Sequence, residues 1–467
     1  MNSTGAYGSG LGLIFFDWMD FVITPIYIYI FYRIVKKIAA TKITNPEHKT
    51  ILLRAFWVKV FGTIAISAVY EFYYQGGDME SYYWGATGFF DSFFNDPDIF
   101  FKLLFIKGEN ILSLKNSGVD SNLFFSYVRS RKFLSTPEFT VIKLSGLISL
   151  ITYHTFTANG LFFSMYSLIG SWKLFSLLEK LYPNLTKKFA ITCFYIPSIV
   201  VWGSGLLKDP ITYGSLCFIV HGVYQLFINY RVRLIHFLEI IVCSTLILMI
   251  KPYILLCAIP GLMILVLFST LKKVDLPVLK ALATPFLGFV VFIAGYFLID
   301  SLKEQMGKYA VDNLTNTLSA FQTWHYAEGE LYGATVYTLG DMSDLSTFGL
   351  IKKIPLAVNV ALFRPYIWES RKPMIFLSAL ESFWFLIITL QTFRAIGIFG
   401  FFRTLRNDPF ILFCFVFAFI FSFAVGLSSY NFGALVRYKI PCMPFYLCTM
   451  YIIKDYYGGI KKKRLTM

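Results

Sequence analysis

Apolar runs of roughly 18–22 residues recur along the whole chain, the length that carries an α-helix across a bilayer. The pattern predicts an all-α polytopic membrane protein with about 11 transmembrane helices by that length rule. The first helix covers roughly Leu11–Tyr32 and the second roughly Ala55–Tyr74. The first run has no basic flank before it and no small-residue cleavage site after it, so it reads as a retained helix rather than a signal peptide. From Phe139 to Leu178 the chain is apolar again, long enough for two passes broken near Asn159-Gly160. Later runs turn at Asn229–Arg233 and at Lys251-Pro252-Tyr253, and a further helix covers Leu279–Leu298. Another begins near Ile375, and the last pair turns over Ser428–Lys439.

Two long segments are too polar to span. The first mixes rings and acids over Phe89–Phe101, which predicts short amphipathic helices on the membrane surface, with Arg129, Arg131 and Lys132 facing headgroups. The second carries seven acids (Asp300, Glu304, Asp312, Glu328, Glu330, Asp341, Asp344) against two bases (Lys303, Lys308), a balance that fits the outer side. The chain therefore divides into an N-terminal transmembrane hairpin (1–75), a first outer segment (76–138), a central bundle (139–299), a second outer segment (300–372) and C-terminal helices with a basic tail (373–467).

Composition agrees. Of the 467 residues 57% are hydrophobic and 15% charged, more apolar surface than a soluble domain needs. The net charge of +15 would suggest nucleic acid in a soluble protein. Here the bases cluster in short turns between apolar runs, so anionic headgroups or a lipid-linked phosphate are the natural partners and nucleic acid is not. Arg33, Lys36, Lys37, Lys42, Lys49 and Arg54 place the first turn in the cytoplasm and the amino terminus outside. Lys461–Arg464 reads as a cytoplasmic anchor. One parity conflict stands: Lys180, Lys187 and Lys188 look cytoplasmic, yet two full passes over 139–178 would put them outside. A half-crossing pair or a misplaced helix reconciles the two.

The seven cysteines lie in apolar runs and none forms CxxC, so they read as packed thiols. His154, His221 and His236 lie in or beside apolar runs and read as satisfied interior histidines.

Candidate chemistry centres on Tyr70–Trp84, where helix two leaves the membrane. Gly76 and Gly77 loosen the backbone, Asp78 and Glu80 follow, and rings that favour the interface flank them. A carboxylate pair there can take a proton, bind a cation or anchor a sugar; a solvated turn is the plain alternative. Four more polar clusters fall on the same face: Lys208/Asp209, Lys251, Arg364/Glu369 and Arg437/Lys439, the last pair flanking Tyr438. Charges at membrane depth tend to face a protein cavity. Carboxylates suit proton abstraction, arginines suit bidentate contact with phosphate, and lysine serves as a point charge. Each cluster also has a plain reading: Lys251 or Arg437 as a snorkelling interface residue, and Lys208-Asp209-Pro210 as a helix start capped by Asp209.

A carboxylate just after an early helix, followed by a long outer loop with flat helices, resembles the GT-C superfamily of polyprenyl-phosphate-sugar-dependent glycosyltransferases. The stretches Pro197–Asp209 and Asn431–Pro444 look like segments of membrane proteins from Bacteroidetes-type bacteria that are grouped with glycosyltransferases or polysaccharide polymerases. The resemblance implies a multi-pass protein of the bacterial cytoplasmic (inner) membrane. It also implies transfer of a sugar from a polyprenyl-phosphate or diphosphate carrier to a glycan, lipid or protein acceptor in envelope glycan synthesis. On that analogy Asp78, with Glu80, is catalytic, and Lys208, Asp209, Lys251, Arg364, Glu369, Arg437, Tyr438 and Lys439 bind substrate. No cofactor is certain. A divalent cation at Asp78/Glu80 has only two carboxylates to hold it, a weak hard-cation site. The alternatives from other classes are a polymerase or ligase, a lipid-linked sugar transporter, and a non-catalytic subunit of an envelope complex.

Overall fold

The computed structural model describes residues 13–106, 135–273, 323, 327, 335–339, 347–370 and 372–465. The predicted helix over Leu279–Leu298, the basic residues Arg129, Arg131 and Lys132, and most of the acid-rich segment after Asp300 lie outside them. Among the described residues the protein is all-α, with 16 α-helices. It is a polytopic membrane protein: seven of its helical segments are long and apolar enough to cross a bilayer, namely Trp18–Lys42, Pro46–Tyr74, Phe156–Leu181, Lys208–Ile228, Pro252–Lys272, Pro373–Asn407 and Pro409–Ser428.

The chain folds as two compact units. Unit 1 comprises Met1–Trp172, Ile199–Ser215 and Thr245–Lys251, and unit 2 comprises Lys173–Ser198, Leu216–Ser244 and Pro252–Met467.

The first helices of unit 1 show how local sequence sets the boundaries. Helix α1 runs Trp18–Lys42, capped by Asp17 in a reciprocal box with Asp20. It starts later and ends ten residues further on than the apolar run predicts. Arg33, Lys36, Lys37 and Lys42 therefore ride on the helix rather than in a loop, their long stems carrying the charge outward. Only Ile43–Asn45 separates it from α2, Pro46–Ala68, which Asn45 caps and Pro46 starts. Lys49 and Arg54 are thus also helical. The α2 helix continues as a π-helical turn, Val69–Tyr74, and stops at Gln75 (φ 51°) and Gly77 (φ 103°).

Residues after Gly77 form α3, Asp78–Asn95, and α4, Pro97–Phe105. Helix α3 packs on α5, Thr136–Thr152, where two glycines allow close approach: a Cβ on Gly85 would lie 2.8 Å from Ile142, and one on Gly146 would lie 2.5 Å from Phe89. The two-pass stretch breaks at Tyr153–Thr155, not at Asn159-Gly160. Tyr153 and His154 take left-handed conformations, and α6 follows as Phe156–Leu181. Asn159 sits inside α6 because its amide is fully engaged, donating to Ser145 and Ser149 and accepting from Thr152. Of this pair only α6 is among the candidate spans.

Beyond the short α7, Thr186–Ala190, the chain enters α8, Pro197–Val201, and α9, Lys208–Val223. Between them Trp202–Leu207 is buried and non-helical. Helix α10, Leu234–Ile250, turns through the single residue Lys251 into α11, Pro252–Leu271. Unit 2 goes on with α12, Thr347–Phe363, α13, Pro373–Asn407, α14, Pro409–Ser428, α15, Phe432–Tyr438, and α16, Met443–Leu465. Its core is aromatic: Phe413, Phe417 and Phe445 pack ring on ring, and Gly426 lets α14 close on the Ala357 carbonyl of α12. The tail at 461–464 continues α16 as helix. All seven cysteines are buried free thiols.

Candidate functional site

Asp78 and Glu80 occupy the first turn of α3 and are half-buried. Glu80 folds back to accept from the Gly77 amide at 3.3 Å, so it caps its own helix and favours the positive end of the helix dipole. Met79, between the two acids, is fully buried, with its methyl 3.6 Å from the point a Cβ on Gly205 would occupy. Tyr74 and Trp202 rings lie 6.3 Å apart. The turn bearing the acids therefore packs beside the Trp202–Leu207 segment that delivers Lys208 and Asp209.

Those two consecutive residues reach in different directions. Lys208 Nζ donates to Glu138 Oε1 at 2.6 Å, tying the start of α9 to the start of α5. Burial alone would raise the Glu138 carboxyl, but the ammonium of Lys208 and the hydroxyl of Ser135 hold it below its ordinary value. Asp209 is not simply a helix cap: its Oδ1 accepts from Lys251 Nζ at 2.5 Å, and the side chains are 1% and 7% exposed. Lys251 is thus a buried partner, not a snorkelling interface residue. The structure pairs Lys208 with Glu138, which sequence reasoning missed, and Asp209 with Lys251 as a second, separate ion pair.

Unit 2 holds the remaining candidates. Arg364 Nε stands 3.0 Å from both carboxylate oxygens of Glu369, and the Tyr366 amide donates to the same carboxylate at 2.8 Å. Burial pushes the Glu369 carboxyl up, but Arg364 and that amide outweigh it and leave it below the ordinary range. The guanidinium lies over the rings of Phe432, Tyr337 and Tyr366, at 5.2, 5.6 and 5.8 Å. Lys439 is buried and donates to Ser382 Oγ at 2.8 Å, and that hydroxyl donates to the Arg364 carbonyl at 3.0 Å. Ser382 so links the Arg364/Glu369 cluster to Lys439. Arg437 and Tyr438 are half-buried on α15.

Several buried charges escaped the sequence reading. Lys59 in mid-α2 donates to the carbonyls of Ile199 and Gly203. Glu71 accepts the backbone amides of Ile14, Phe15 and Phe16. Asp20 accepts the Thr157 amide at the start of α6. Glu381 accepts both the amide and the hydroxyl of Ser198. The signal for each is a lone charge inside an apolar run, which is costly enough to require a partner. His221 and His236 share a fourth buried acid, Glu239. Among the described residues this trio is the group that could hold a metal, and it includes neither Asp78 nor Glu80.

No family model, curated protein or solved structure matches the chain.

Proposed function

We propose that the chain is a membrane glycosyltransferase that takes a sugar from a polyprenyl-phosphate carrier and passes it to an acceptor hydroxyl. The observation that carries the reading is the placement of Asp78 and Glu80 on a turn packed against the segment that ends in Lys208 and Asp209. The two elements belong to one unit, and each carries its charged residues at a helix start, where the dipole favours anions. Asp78 takes the proton of the acceptor hydroxyl. The acceptor oxygen bonds to the anomeric carbon with inversion, and the bond from that carbon to the phosphate oxygen breaks. The polyprenyl phosphate leaves with the electron pair, and Lys208 stabilises the developing charge by exchanging Glu138 for phosphate. Asp209 holds Lys251 close by as a second positive charge. In unit 2, Arg364 and Arg437 are the residues suited to an anion, and Lys439, turned inward to Ser382, braces the Arg364 backbone. The GT-C likeness and the bacterial inner membrane belong to this proposal, as do a glycan, lipid or protein acceptor and any partner in an envelope complex.

The test is transfer from radiolabelled polyprenyl-phosphate sugars by the purified protein in lipid vesicles. Wild type should label the acceptor, and Asp78→Asn should abolish labelling while remaining monodisperse. Full activity in that variant would remove Asp78 as the base.

A transporter of lipid-linked sugars is the second reading, favoured by the buried break Trp202–Leu207 between two helical pieces and by the non-helical Gly397 (φ 70°) inside α13. Passage of an intact labelled lipid across sealed vesicles, without acceptor labelling, would select it.

A further inference from the structure

The proposed transfer chemistry leaves unused a cluster in unit 2, formed by the buried His221, Gln225, His236 and Glu239 with the half-buried Lys173 at its edge. Three sequence features assemble it. His236 and Glu239 are three residues apart on α10 and share a face. His221 and Gln225 are four apart and do the same. Gly222 brings the two segments together: a Cβ there would lie 3.0 Å from the His236 carbonyl and 3.3 Å from Glu239 Cβ. The result is that both imidazole Nδ1 atoms converge on one carboxylate oxygen, Glu239 Oε2, at 2.8 Å from His221 and 3.2 Å from His236. One ligand atom from each of the three residues lies within 4.8 Å of the other two, and all three residues are buried.

We propose that His221, His236 and Glu239 form a binding site for a divalent transition metal, zinc by preference. Two imidazole nitrogens and one carboxylate oxygen are a donor set that suits zinc and leaves a fourth position open. Calcium and magnesium are disfavoured, because they demand more oxygen ligands than this cluster offers. The surroundings are those of a built site. Lys173 Nζ, 3.0 Å from Glu239 Oε1, holds the carboxylate by the oxygen that faces away from the histidines. Gln225 Nε2, 3.3 Å from His221 Nε2, fixes the ring, and Asn229 donates in turn to Gln225 at 3.0 Å. Such outer partners orient ligands for a metal. The turn Asn229–Arg233 is exposed and ends three residues before His236. The site does not depend on the transfer reading.

Purified full-length protein, stripped with a chelator and then titrated with Zn²⁺, should retain one equivalent through gel filtration. Co²⁺ in its place should give the visible absorption of a nitrogen- and oxygen-ligated tetrahedral ion. His236→Gln and Glu239→Gln should each weaken Zn²⁺ binding by at least about tenfold, whereas His48→Gln should leave it unchanged. X-ray absorption of the zinc-loaded wild type reads the ligands directly, so the proposal stays open to refutation even if a variant fails to fold. A shell of two imidazoles and one carboxylate supports it. Failure of the wild type to retain zinc overturns the proposal, as does binding equally strong in the two folded variants, which would mean an adventitious ion only.

Discussion

The Lys59 ammonium donates to the Gly203 carbonyl at 2.5 Å and to the Ile199 carbonyl at 3.1 Å, so a charge in the middle of one apolar helix closes the broken end of another segment. Non-helical backbone at membrane depth is tolerated only where its polar groups are satisfied within the protein. Trp202–Leu207 is buried non-helical backbone, and Lys59, 1% exposed, supplies a donor to Gly203 within it and another to Ile199 just before it. Lys59→Met keeps the stem and removes the donors. It should cost about 1–3 kcal/mol for each carbonyl left orphaned, seen as a lower melting temperature of the detergent-solubilised protein. An unchanged melt would show that the break is held by other groups.

Two glycines test close approach against backbone strain. A Cβ on Gly62, one turn beyond Lys59, would sit 2.0 Å from the Val200 carbonyl oxygen and 2.8 Å from Ser204 Oγ. The contact is with backbone, which cannot swing away, so Gly62→Ala should strongly reduce the yield of folded protein. Gly397 has nothing within 4 Å of its would-be Cβ but holds φ at +70°. Gly397→Ala should fold and lose on the order of 1–3 kcal/mol through strain alone. Comparing folded yield by size-exclusion profile, and then melting temperature, separates the two mechanisms.

Much of the fold is legible in the sequence because apolar run length is a physical requirement of the bilayer. Helices α1, α2, α6, α9, α11, α13 and α14 all fall on apolar runs, and errors concentrate at their ends. Arg33 to Lys42 read as a loop by charge alone, yet α1 runs on to Lys42 because lysine and arginine stems extend comfortably from a helix. Asn159-Gly160 looked like a break because both residues are weak helix formers. Tertiary hydrogen bonds that the Asn159 amide donates to Ser145 and Ser149 override that weakness. The pairing of Asp209 with Lys251 was not legible, since 42 residues separate them and no local pattern couples them. The convergence of His221, His236 and Glu239 is not legible either, since it depends on the packing of two segments that Gly222 permits.

Asp209 and Lys251 offer a test of a buried ion pair. Removing one partner leaves the other charge buried and uncompensated, which costs about 3–5 kcal/mol, whereas replacing both with apolar residues of similar volume is often neutral or stabilising. Asp209→Leu and Lys251→Met should each lower the melting temperature sharply, and the double variant should recover most of the loss. Additive losses would mean that each side chain is held by other groups. The same double variant bears on function: if the Lys251 charge assists phosphate departure, transfer stays impaired after stability has returned.

The Arg364–Glu369 pair sets an acid limit on the second unit. Its carboxyl is held below the ordinary glutamate value, since Arg364 and the Tyr366 amide favour the ionised form more than burial opposes it. A depressed pKa means that the unfolded chain binds the proton more readily. The stabilisation is therefore fully present above the unfolded value of about 4.3, and it is lost as pH falls through the lower folded value. Between pH 7 and pH 5 the pair should leave the melting temperature unchanged, and from about pH 4.3 downward wild type should lose stability. Glu369→Gln removes this titration but keeps an acceptor for Arg364. It should start from a lower melting temperature at pH 7, and its difference from wild type should shrink as the pH falls below that value. A constant difference across the range would show that the carboxylate charge contributes nothing and that the side chain acts only by shape.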